Sequence, residues 1–166
     1  MTGNRWILLA EDNANDADLT MRALSADQLS GEVIVAGDGA EALDCLHRRG
    51  AFQSRDDDLP AVVLLDLKMP NVDGLEVLRE IKSTAALRSI PVVVFTSSRE
   101  WSDLARAYQL GANAYVVKPV GFKEFLAVLQ DVKRFWLAIN EPPPGNLAKT
   151  ADAPAPPSQP QLTPAA

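Results

Sequence analysis

The stretch Ala61-Val62-Val63-Leu64-Leu65-Asp66 decides the fold that we predict for this chain. Five small or aliphatic residues run without interruption into an aspartate, and Pro60 stands directly before them. A short apolar run with such boundaries is typical of a strand that is buried on both faces of a parallel sheet. We therefore predict a central parallel strand that ends at Asp66.

Three further apolar runs also end on polar residues that can do chemistry. They are Trp6-Ile7-Leu8-Leu9-Ala10 before Glu11-Asp12, Val92-Val93-Val94-Phe95 before Thr96, and Tyr115-Val116-Val117 before Lys118-Pro119. Ligands of an open parallel sheet bind outside the carboxyl ends of its strands. We therefore expect three carboxylates, one hydroxyl and one ammonium group to meet at one edge of the sheet.

The chain alternates between strand and helix patterns five times over residues 5–140. One more strand, at residues 32–36, has no candidate catalytic residue at its end. Helical spacing predicts which residues form the buried faces of two helices. On the first helix they are Ala17, Met21 and Leu24, and on the last helix they are Phe122, Phe125, Leu126, Leu129 and Trp136. The pattern predicts an α/β fold, a flavodoxin-like doubly wound (βα)5 domain with five parallel strands in the order 2-1-3-4-5.

The composition is that of an ordinary globular protein, and it argues against several functions. The 166 residues are 47% hydrophobic and 23% charged, with a formal net charge of −6. Binding to nucleic acid or to anionic membranes needs a basic face, so we expect neither partner. The chain has no apolar stretch of the roughly 20 residues that span a bilayer, no apolar core of a signal peptide, and a single cysteine, Cys45. We therefore expect a cytoplasmic protein.

Proline separates the predicted domain from a tail. Eight of the 12 prolines lie after Asn140, in a segment that has almost no large apolar residues. Such a segment cannot bury enough surface to offset the entropy cost of ordering. We expect one domain at residues 5–140 and a disordered proline- and alanine-rich tail at residues 141–166.

The polar residues at the strand ends suit phosphoryl transfer. Glu11, Asp12 and Asp66 repel one another at close range, and either protonation or a cation relieves such repulsion. A hard divalent ion such as Mg²⁺, which also binds phosphate oxygens, is the natural choice for oxygen ligands. One aspartate can then act as a nucleophile, while Lys118 and Thr96 supply a positive charge and a hydroxyl. Each residue alone has an ordinary explanation, such as a helix cap for Thr96 or a solvated charge for Lys118. Their joint occurrence favours the functional interpretation.

Four motifs resemble the receiver domain of bacterial response regulators, and the resemblance spans nearly all of residues 6–140. The motifs are Leu8-Leu9-Ala10-Glu11-Asp12-Asn13, Leu64-Leu65-Asp66-Leu67-Lys68-Met69-Pro70-Asn71-Val72-Asp73-Gly74, Val94-Phe95-Thr96-Ser97 and Tyr115-Val116-Val117-Lys118-Pro119. The resemblance implies that Asp66 is the phospho-acceptor of a sensor histidine kinase. It also implies that Glu11, Asp12, Asp66 and the backbone carbonyl of Lys68 surround Mg²⁺ or Mn²⁺.

The resemblance also implies roles around the phosphoryl group. Lys118 would hold that group, and the peptide bond between Lys118 and Pro119 would be cis. Thr96 and Tyr115 would form a switch pair, in which Thr96 moves toward the phosphate and Tyr115 rotates inward. An aromatic residue in a strand is also ordinary core filling. Two positions are expected to set the lifetime of the phosphate: Lys68, two residues after Asp66, whose long side chain would shield the acyl phosphate from water, and Ser98, two residues after Thr96.

Three other segments resemble a narrower group, the stand-alone receivers that are paired with bacteriophytochrome-type kinases. The segments are the loop before Pro60, the start Lys118-Pro119-Val120-Gly121-Phe122 and the ending Phe135-Trp136-Leu137. Only the proline-rich tail follows the predicted domain. We therefore expect the signal to leave through the surface of the domain itself.

The last helix carries a second apolar line, formed by Val128, Val132, Phe135 and Ile139. Large exposed apolar patches usually mark interfaces. We expect a homodimer or partner contact through the fourth helix, the fifth strand and the fifth helix, with Trp101 included. The alternative is that the end of the helix curls under the fold.

The sequence therefore predicts a phospho-acceptor that catalyses only its own phosphorylation and dephosphorylation and is otherwise no enzyme. A phosphate-independent adaptor is one alternative, but the intact acidic residues and Lys118 argue against it. A phosphatase or phosphotransferase with Asp66 as nucleophile is another alternative. Such enzymes often need a second acidic residue two positions on, where this chain has Lys68.

Overall fold

The computed structural model describes residues 5–26, 29, 31–55 and 58–143. Five parallel strands form one sheet in the order β2-β1-β3-β4-β5. The strands are β1 Trp6–Ala10, β2 Glu32–Ala36, β3 Val62–Leu65, β4 Val92–Thr96 and β5 Ala114–Val117. The predicted α/β class, the flavodoxin-like topology and the strand order are confirmed.

Helices connect the strands and cover both faces of the sheet. They are α1 Ala14–Ser25, α2 Gly39–His47, α3 Gly74–Ser83, α4 Trp101–Gln109 and α5 Phe122–Lys133. A π-helical segment, Arg134–Ile139, continues directly from α5, and a short 3-10 helix, Gly50–Phe52, lies between α2 and β3. α2, α3 and α4 pack on one face of the sheet, and α1 and α5 pack on the other.

The central strands are apolar at every position because their side chains enter the two cores alternately. In β1, Leu8 and Ala10 belong to the core beneath α2, α3 and α4, whereas Ile7 and Leu9 belong to the core beneath α1 and α5. The outer strands β2 and β5 each have a neighbouring strand on one edge only. Most of their residues are therefore half-buried.

Polar turns carry the chain from the strand ends into the helices. The side chains of Asn13, Asp38 and Asp73 each accept a hydrogen bond from the backbone amide three residues later, and so cap α1, α2 and α3. Gly74 allows α3 to begin very close to β3, since a Cβ atom there would lie 2.1 Å from the carbonyl oxygen of Asp66. The start of α3 is therefore packed directly against the backbone that carries Asp66.

Two details of the predicted helix faces were wrong. On α1 the buried residues are Thr20, Ala23 and Leu24, whereas Met21 is exposed, because the helix packs against both β2 and α5. On α5 Phe122 is exposed, because it begins the helix and borders an open cavity instead of the sheet. The other predicted residues of these faces are buried or half-buried.

The second apolar line on the last helix is divided in the structure. Val128 and Val132 pack partly against the core beneath α5, whereas Phe135 and Ile139 are 45% and 57% exposed. Trp101, at the start of α4, is 78% exposed. The exposed part of the line therefore lies in the π-helical segment.

Of the predicted tail, the described part of the chain includes residues 141–143 alone, and residues 144–166 lie outside it. The domain boundary and the disorder of the tail therefore stay predictions. Among the described residues, no helix has the length and apolar character needed to cross a membrane.

Candidate functional site

The carboxyl ends of the strands bring the predicted site residues to one edge of the sheet. The backbone amide of Asp66 donates to the carbonyl oxygen of Ala10 at 3.0 Å, and that of Lys118 donates to the carbonyl oxygen of Thr96 at 2.7 Å. Glu11 follows Ala10 directly. The hydrogen bonds of the sheet therefore continue past the strand ends and fix the backbones of the site residues.

Glu11, Asp12 and Asp66 form an acidic cluster, in which one carboxylate oxygen of each lies within 4.8 Å of the others. Glu11 and Asp66 are buried, and Asp12 is exposed. Oxygen ligands at this spacing suit a hard divalent cation, so these residues fit Mg²⁺ or Mn²⁺. Lys68 lies in the loop after Asp66 with its side chain exposed, and the role of its carbonyl stays a prediction.

The ammonium group of Lys118 lies against three carboxylates. Its Nζ atom is 2.5 Å from Glu11 Oε2, 3.0 Å from Asp16 Oδ2 and 3.2 Å from Asp66 Oδ2. An ammonium group has three N–H donors, so these three acceptors account for all of them. We did not predict the contact with Asp16. The signal for it is the place of Asp16 in the first turn of α1, directly after the end of β1.

Burial and charge together set the protonation of this site. Burial raises the pKa of Glu11 to about 7, although the hydrogen bond from Lys118 opposes the rise. Burial by itself would lower the pKa of Lys118, but the bond to Glu11 and the charge of Asp66 outweigh it and raise that pKa above its usual range. Lys118 is therefore a permanent cation, and Glu11 is a group whose charge changes near neutral pH.

The two residues of the predicted switch pair both bond to Ser98. The backbone amide of Ser98 donates to Thr96 Oγ1 at 3.3 Å. The hydroxyl of Tyr115 donates to the carbonyl oxygen of Ser98 at 3.0 Å. Thr96 is buried and Tyr115 is half-buried, and burial raises the pKa of the Tyr115 hydroxyl. Ser98 Oγ donates to Asp103 Oδ2 at 2.6 Å. We did not predict this contact, because spacing does not distinguish Asp103 from Glu100, the other acidic residue near the start of α4. The motion of the pair stays a prediction.

The expected cis bond between Lys118 and Pro119 was wrong, since the described residues include no cis peptide bond. The trans form is the favoured one even before proline. With the trans bond, the backbone amide of Lys118 bonds to Thr96 and its Nζ atom reaches the acidic cluster.

A cavity of about 290 Å³ opens beside the acidic cluster. Its lining residues are Asp16, Leu19, Ser97, Lys118, Pro119, Val120, Phe122 and Phe125. Most of these side chains are apolar, and the ion pair of Lys118 with Asp16 forms the polar part of the wall. The Lys118 side chain therefore borders both the acidic cluster and the cavity.

The family model of the response regulator receiver domain matches residues 7–130. The chain belongs to the response regulator receiver family. The matched part of this receiver contains Glu11, Asp12, Asp66, Thr96 and Lys118. It is therefore a receiver of two-component signalling, a class of proteins that works by phosphorylation.

Two curated relatives are similar to this receiver over most of their length. The probable methanogenesis regulatory protein FilR2 of Methanothrix harundinacea is 44% identical over 138 residues, which cover 82% of this chain and 86% of the relative. The response regulator Rcp1 of Synechocystis is 37% identical over 131 residues, which cover 79% and 88%.

Three solved structures have the same fold as this receiver. The Mn²⁺-bound form of Rcp1 has a TM-score of 0.78 at 35% identity, and the match covers 84% of this chain and 99% of that chain. The phosphorylated cyanobacterial phytochrome response regulator RcpA has a TM-score of 0.80 at 35% identity, with the same coverage. The bacteriophytochrome response regulator RtBRR has a TM-score of 0.68 at 55% identity, and the match covers 87% of each chain. The predicted resemblance to phytochrome-associated receivers is confirmed.

Proposed function

We propose that this receiver accepts a phosphoryl group on Asp66 from a sensor histidine kinase, in a reaction that depends on Mg²⁺ or Mn²⁺. One observation carries the proposal. The buried carboxylate of Asp66 lies 3.2 Å from the Lys118 ammonium group and belongs to an acidic cluster that fits a divalent cation. The similarity to a Mn²⁺-bound and to a phosphorylated response regulator supports it.

The side chains at the site have distinct parts in this transfer. An oxygen of Asp66 attacks the phosphorus of the kinase's phosphohistidine, so that an O–P bond forms, the N–P bond breaks and the released imidazole takes up a proton. The ammonium group of Lys118 donates to the phosphoryl oxygens and balances their charge. Glu11, Asp12, Asp66 and the Lys68 carbonyl would hold the divalent cation, which would supply further positive charge for the reacting oxygens.

Hydrolysis returns the receiver to its starting state. The oxygen of a water molecule attacks the phosphorus, the bond from phosphorus to the Asp66 oxygen breaks, and inorganic phosphate leaves with the release of one proton. The receiver thus catalyses reactions of its own carboxylate and turns over no separate substrate. In this respect it is not an enzyme.

Thr96 and Tyr115 pass the change to the surface. When the Thr96 hydroxyl turns to the phosphoryl group, it gives up its hydrogen bond with the backbone amide of Ser98. Ser98 also accepts a hydrogen bond from Tyr115 through its carbonyl oxygen, so the change at Ser98 reaches Tyr115. The loop between β4 and α4 then favours a different arrangement. Phosphorylation shifts the balance between the two arrangements because its contacts differ in each.

The partner that we propose is a cytoplasmic histidine kinase of the bacteriophytochrome type. The identity of 55% to RtBRR supports this choice. The receiver then signals by contact with other proteins. We propose no contact with nucleic acid or membrane, because the net charge of −6 disfavours a basic face.

We also propose that two copies associate through the face formed by α4, β5 and α5. β5 is an edge strand of the sheet. Trp101, Phe135 and Ile139 expose large apolar side chains on the helical segments that flank it, and Val128 and Val132 add half-buried ones. Exposed apolar surface of this kind usually marks an interface.

Asp66→Asn is expected to abolish phosphorylation, because an amide lacks the nucleophilic carboxylate oxygen. The measurement is the transfer of radiolabelled phosphate from an autophosphorylated bacteriophytochrome-type kinase in the presence of Mg²⁺. The matched control is Asp18→Asn, which changes an exposed aspartate that pairs with Arg22 on α1. It should be labelled like the wild type.

Labelling of Asp66→Asn at the wild-type level would rule out Asp66 as the phospho-acceptor. A variant that takes no label but signals fully in cells would instead favour the phosphate-independent adaptor.

A further inference from the structure

Three carboxylates share the Lys118 ammonium group, and they differ in what else they can bind. Glu11 and Asp66 belong to the acidic cluster that fits a divalent cation. In the described part of the chain, that cluster consists of Glu11, Asp12 and Asp66, and Asp16 is outside it. Asp16 is nevertheless 3.0 Å from the Lys118 Nζ atom.

During phosphorylation, the carboxylate oxygens of Glu11 and Asp66 have other groups to bind besides Lys118. A divalent cation bound at the acidic cluster would take oxygens from Glu11 and Asp66, and phosphorylation would turn one Asp66 oxygen into the bridging oxygen of an acyl phosphate. The phosphoryl oxygens then need the positive charge of Lys118. Asp16 lies outside the acidic cluster, so its carboxylate would stay available to Lys118 through these changes.

We propose that Asp16 is a positioning residue, which holds the Lys118 ammonium group toward the phosphoryl site while Glu11 and Asp66 are engaged elsewhere. The proposal rests on the proposed function of Asp66. Because Lys118 has three N–H donors, it can bond to Asp16 and still present donors to the phosphoryl group. Asp16 therefore orients the lysine without competing with the phosphoryl group for every donor.

The position of Asp16 suits this role. Its backbone amide is held by the Asn13 side chain at 3.0 Å, which fixes the first turn of α1 over the strand ends. Its side chain is 35% exposed, whereas that of Lys118 is 6% exposed. Water screens a partly exposed carboxylate, so Asp16 reduces the positive charge that Lys118 offers the phosphoryl group less than a buried carboxylate would. Its main effect is therefore on the orientation of the ammonium group.

The test compares Asp16→Ala, Asp16→Asn and Asp16→Glu with wild type, and uses Asp18→Ala as a control on the same helix. The first measurement is the rate of phosphorylation by phosphoramidate at saturating Mg²⁺. Loss of one partly exposed charge-assisted contact should slow Asp16→Ala roughly threefold to tenfold. Asp16→Glu should recover most of the rate, Asp16→Asn part of it, and Asp18→Ala should match wild type.

The second measurement does not depend on activity. In protein loaded with Mg²⁺ and beryllofluoride, a phosphoryl analogue, the ¹⁵N resonance of the Lys118 ammonium group reports how firmly it is held. Its N–H protons should exchange with water several-fold faster in Asp16→Ala than in wild type or Asp16→Glu. The dissociation constant of Mg²⁺ should stay within about twofold of wild type, because Asp16 is outside the acidic cluster.

Different results would overturn different proposals. If wild type takes no label, or if Asp66→Asn is labelled equally, the proposed function fails and the role of Asp16 fails with it. If wild type alone is labelled but Asp16→Ala reacts as fast or faster, the role of Asp16 is overturned by itself. A loss of Mg²⁺ affinity that accounts for the slower rate, or unchanged proton exchange at Lys118, would also overturn it.

Discussion

Glu11 belongs to the acidic cluster that fits a divalent cation, and its carboxyl group also has a raised pKa. Burial raises its pKa to about 7, and the nearby Asp66 carboxylate adds to the rise while Lys118 opposes it. A carboxyl group that holds a proton is a poor ligand for a cation, so protons should compete with the proposed Mg²⁺ for Glu11. The affinity for Mg²⁺ should therefore fall as the pH drops through this range.

We expect the dissociation constant of Mg²⁺ to increase up to about tenfold per pH unit below pH 7, and to level off above about pH 8. Calorimetric titration at a series of pH values between about 6 and 8 measures this dependence. Glu11→Gln should bind more weakly and lose most of the dependence, since the amide does not titrate. A wild-type affinity that is constant over this range would contradict the prediction.

At the scale of elements, the loop between β4 and α4 connects the proposed phosphorylation site to a helix. Ser98 bonds through its amide to Thr96, through its carbonyl to Tyr115 and through its hydroxyl to Asp103. Asp103 lies in the first turn of α4, where a negative charge is also favoured by the helix dipole. The start of α4 is therefore fixed to the same residue as the switch pair.

Asp103→Ala should reduce the free energy of unfolding by about 1–2 kcal/mol, because it removes a charge-assisted hydrogen bond that is partly buried. Urea denaturation measures the change. Asp103→Asn keeps an acceptor oxygen and should lose less, and Ser102→Ala, an exposed neighbour, should be close to neutral. A cycle with Ser98→Ala tests the pair directly, and strictly additive effects would show that the two residues do not interact.

At the scale of the whole molecule, Trp101 on α4 and Phe135 and Ile139 on the π-helical segment expose large apolar side chains at the surface of the domain. Phe135 packs edge-on against Trp136, with ring centroids 4.9 Å apart, and leaves much of its surface exposed. A second copy of the receiver would cover this surface. The proposed dimer therefore depends on the outer side of the last helix.

Phe135→Asp should convert the proposed dimer into a monomer, because it places a charge in the apolar centre of the proposed interface. Analytical ultracentrifugation over a range of concentrations measures the association. Met21→Asp is the control, since Met21 is an exposed apolar residue on α1 and should leave the dimer intact. An unchanged dimer of Phe135→Asp, or a wild type that is monomeric at every concentration, would reject this interface.

Much of the fold could be predicted because short apolar runs leave few choices. A run such as residues 61–65 is buried on both faces, and parallel strands share their carboxyl edge, so Glu11, Asp66 and Lys118 had to converge once the strands were assigned. The orientation of the helices was less predictable. Met21 and Phe122 were assigned to buried faces from helical spacing, but spacing does not show whether a second helix or a cavity borders the helix.

The sequence by itself determined the five strands, their shared edge and the residue types that meet there, because burial and chain connectivity act through local patterns. Only the tertiary structure decided that Asp16 reaches Lys118, 102 residues away, and that Asp103 reaches Ser98. The tertiary structure also decided that the bond before Pro119 is trans. The reason is that a hydrogen bond between two polar side chains forms only within a range of distances a few tenths of an ångström wide. The packing of whole helices sets those distances.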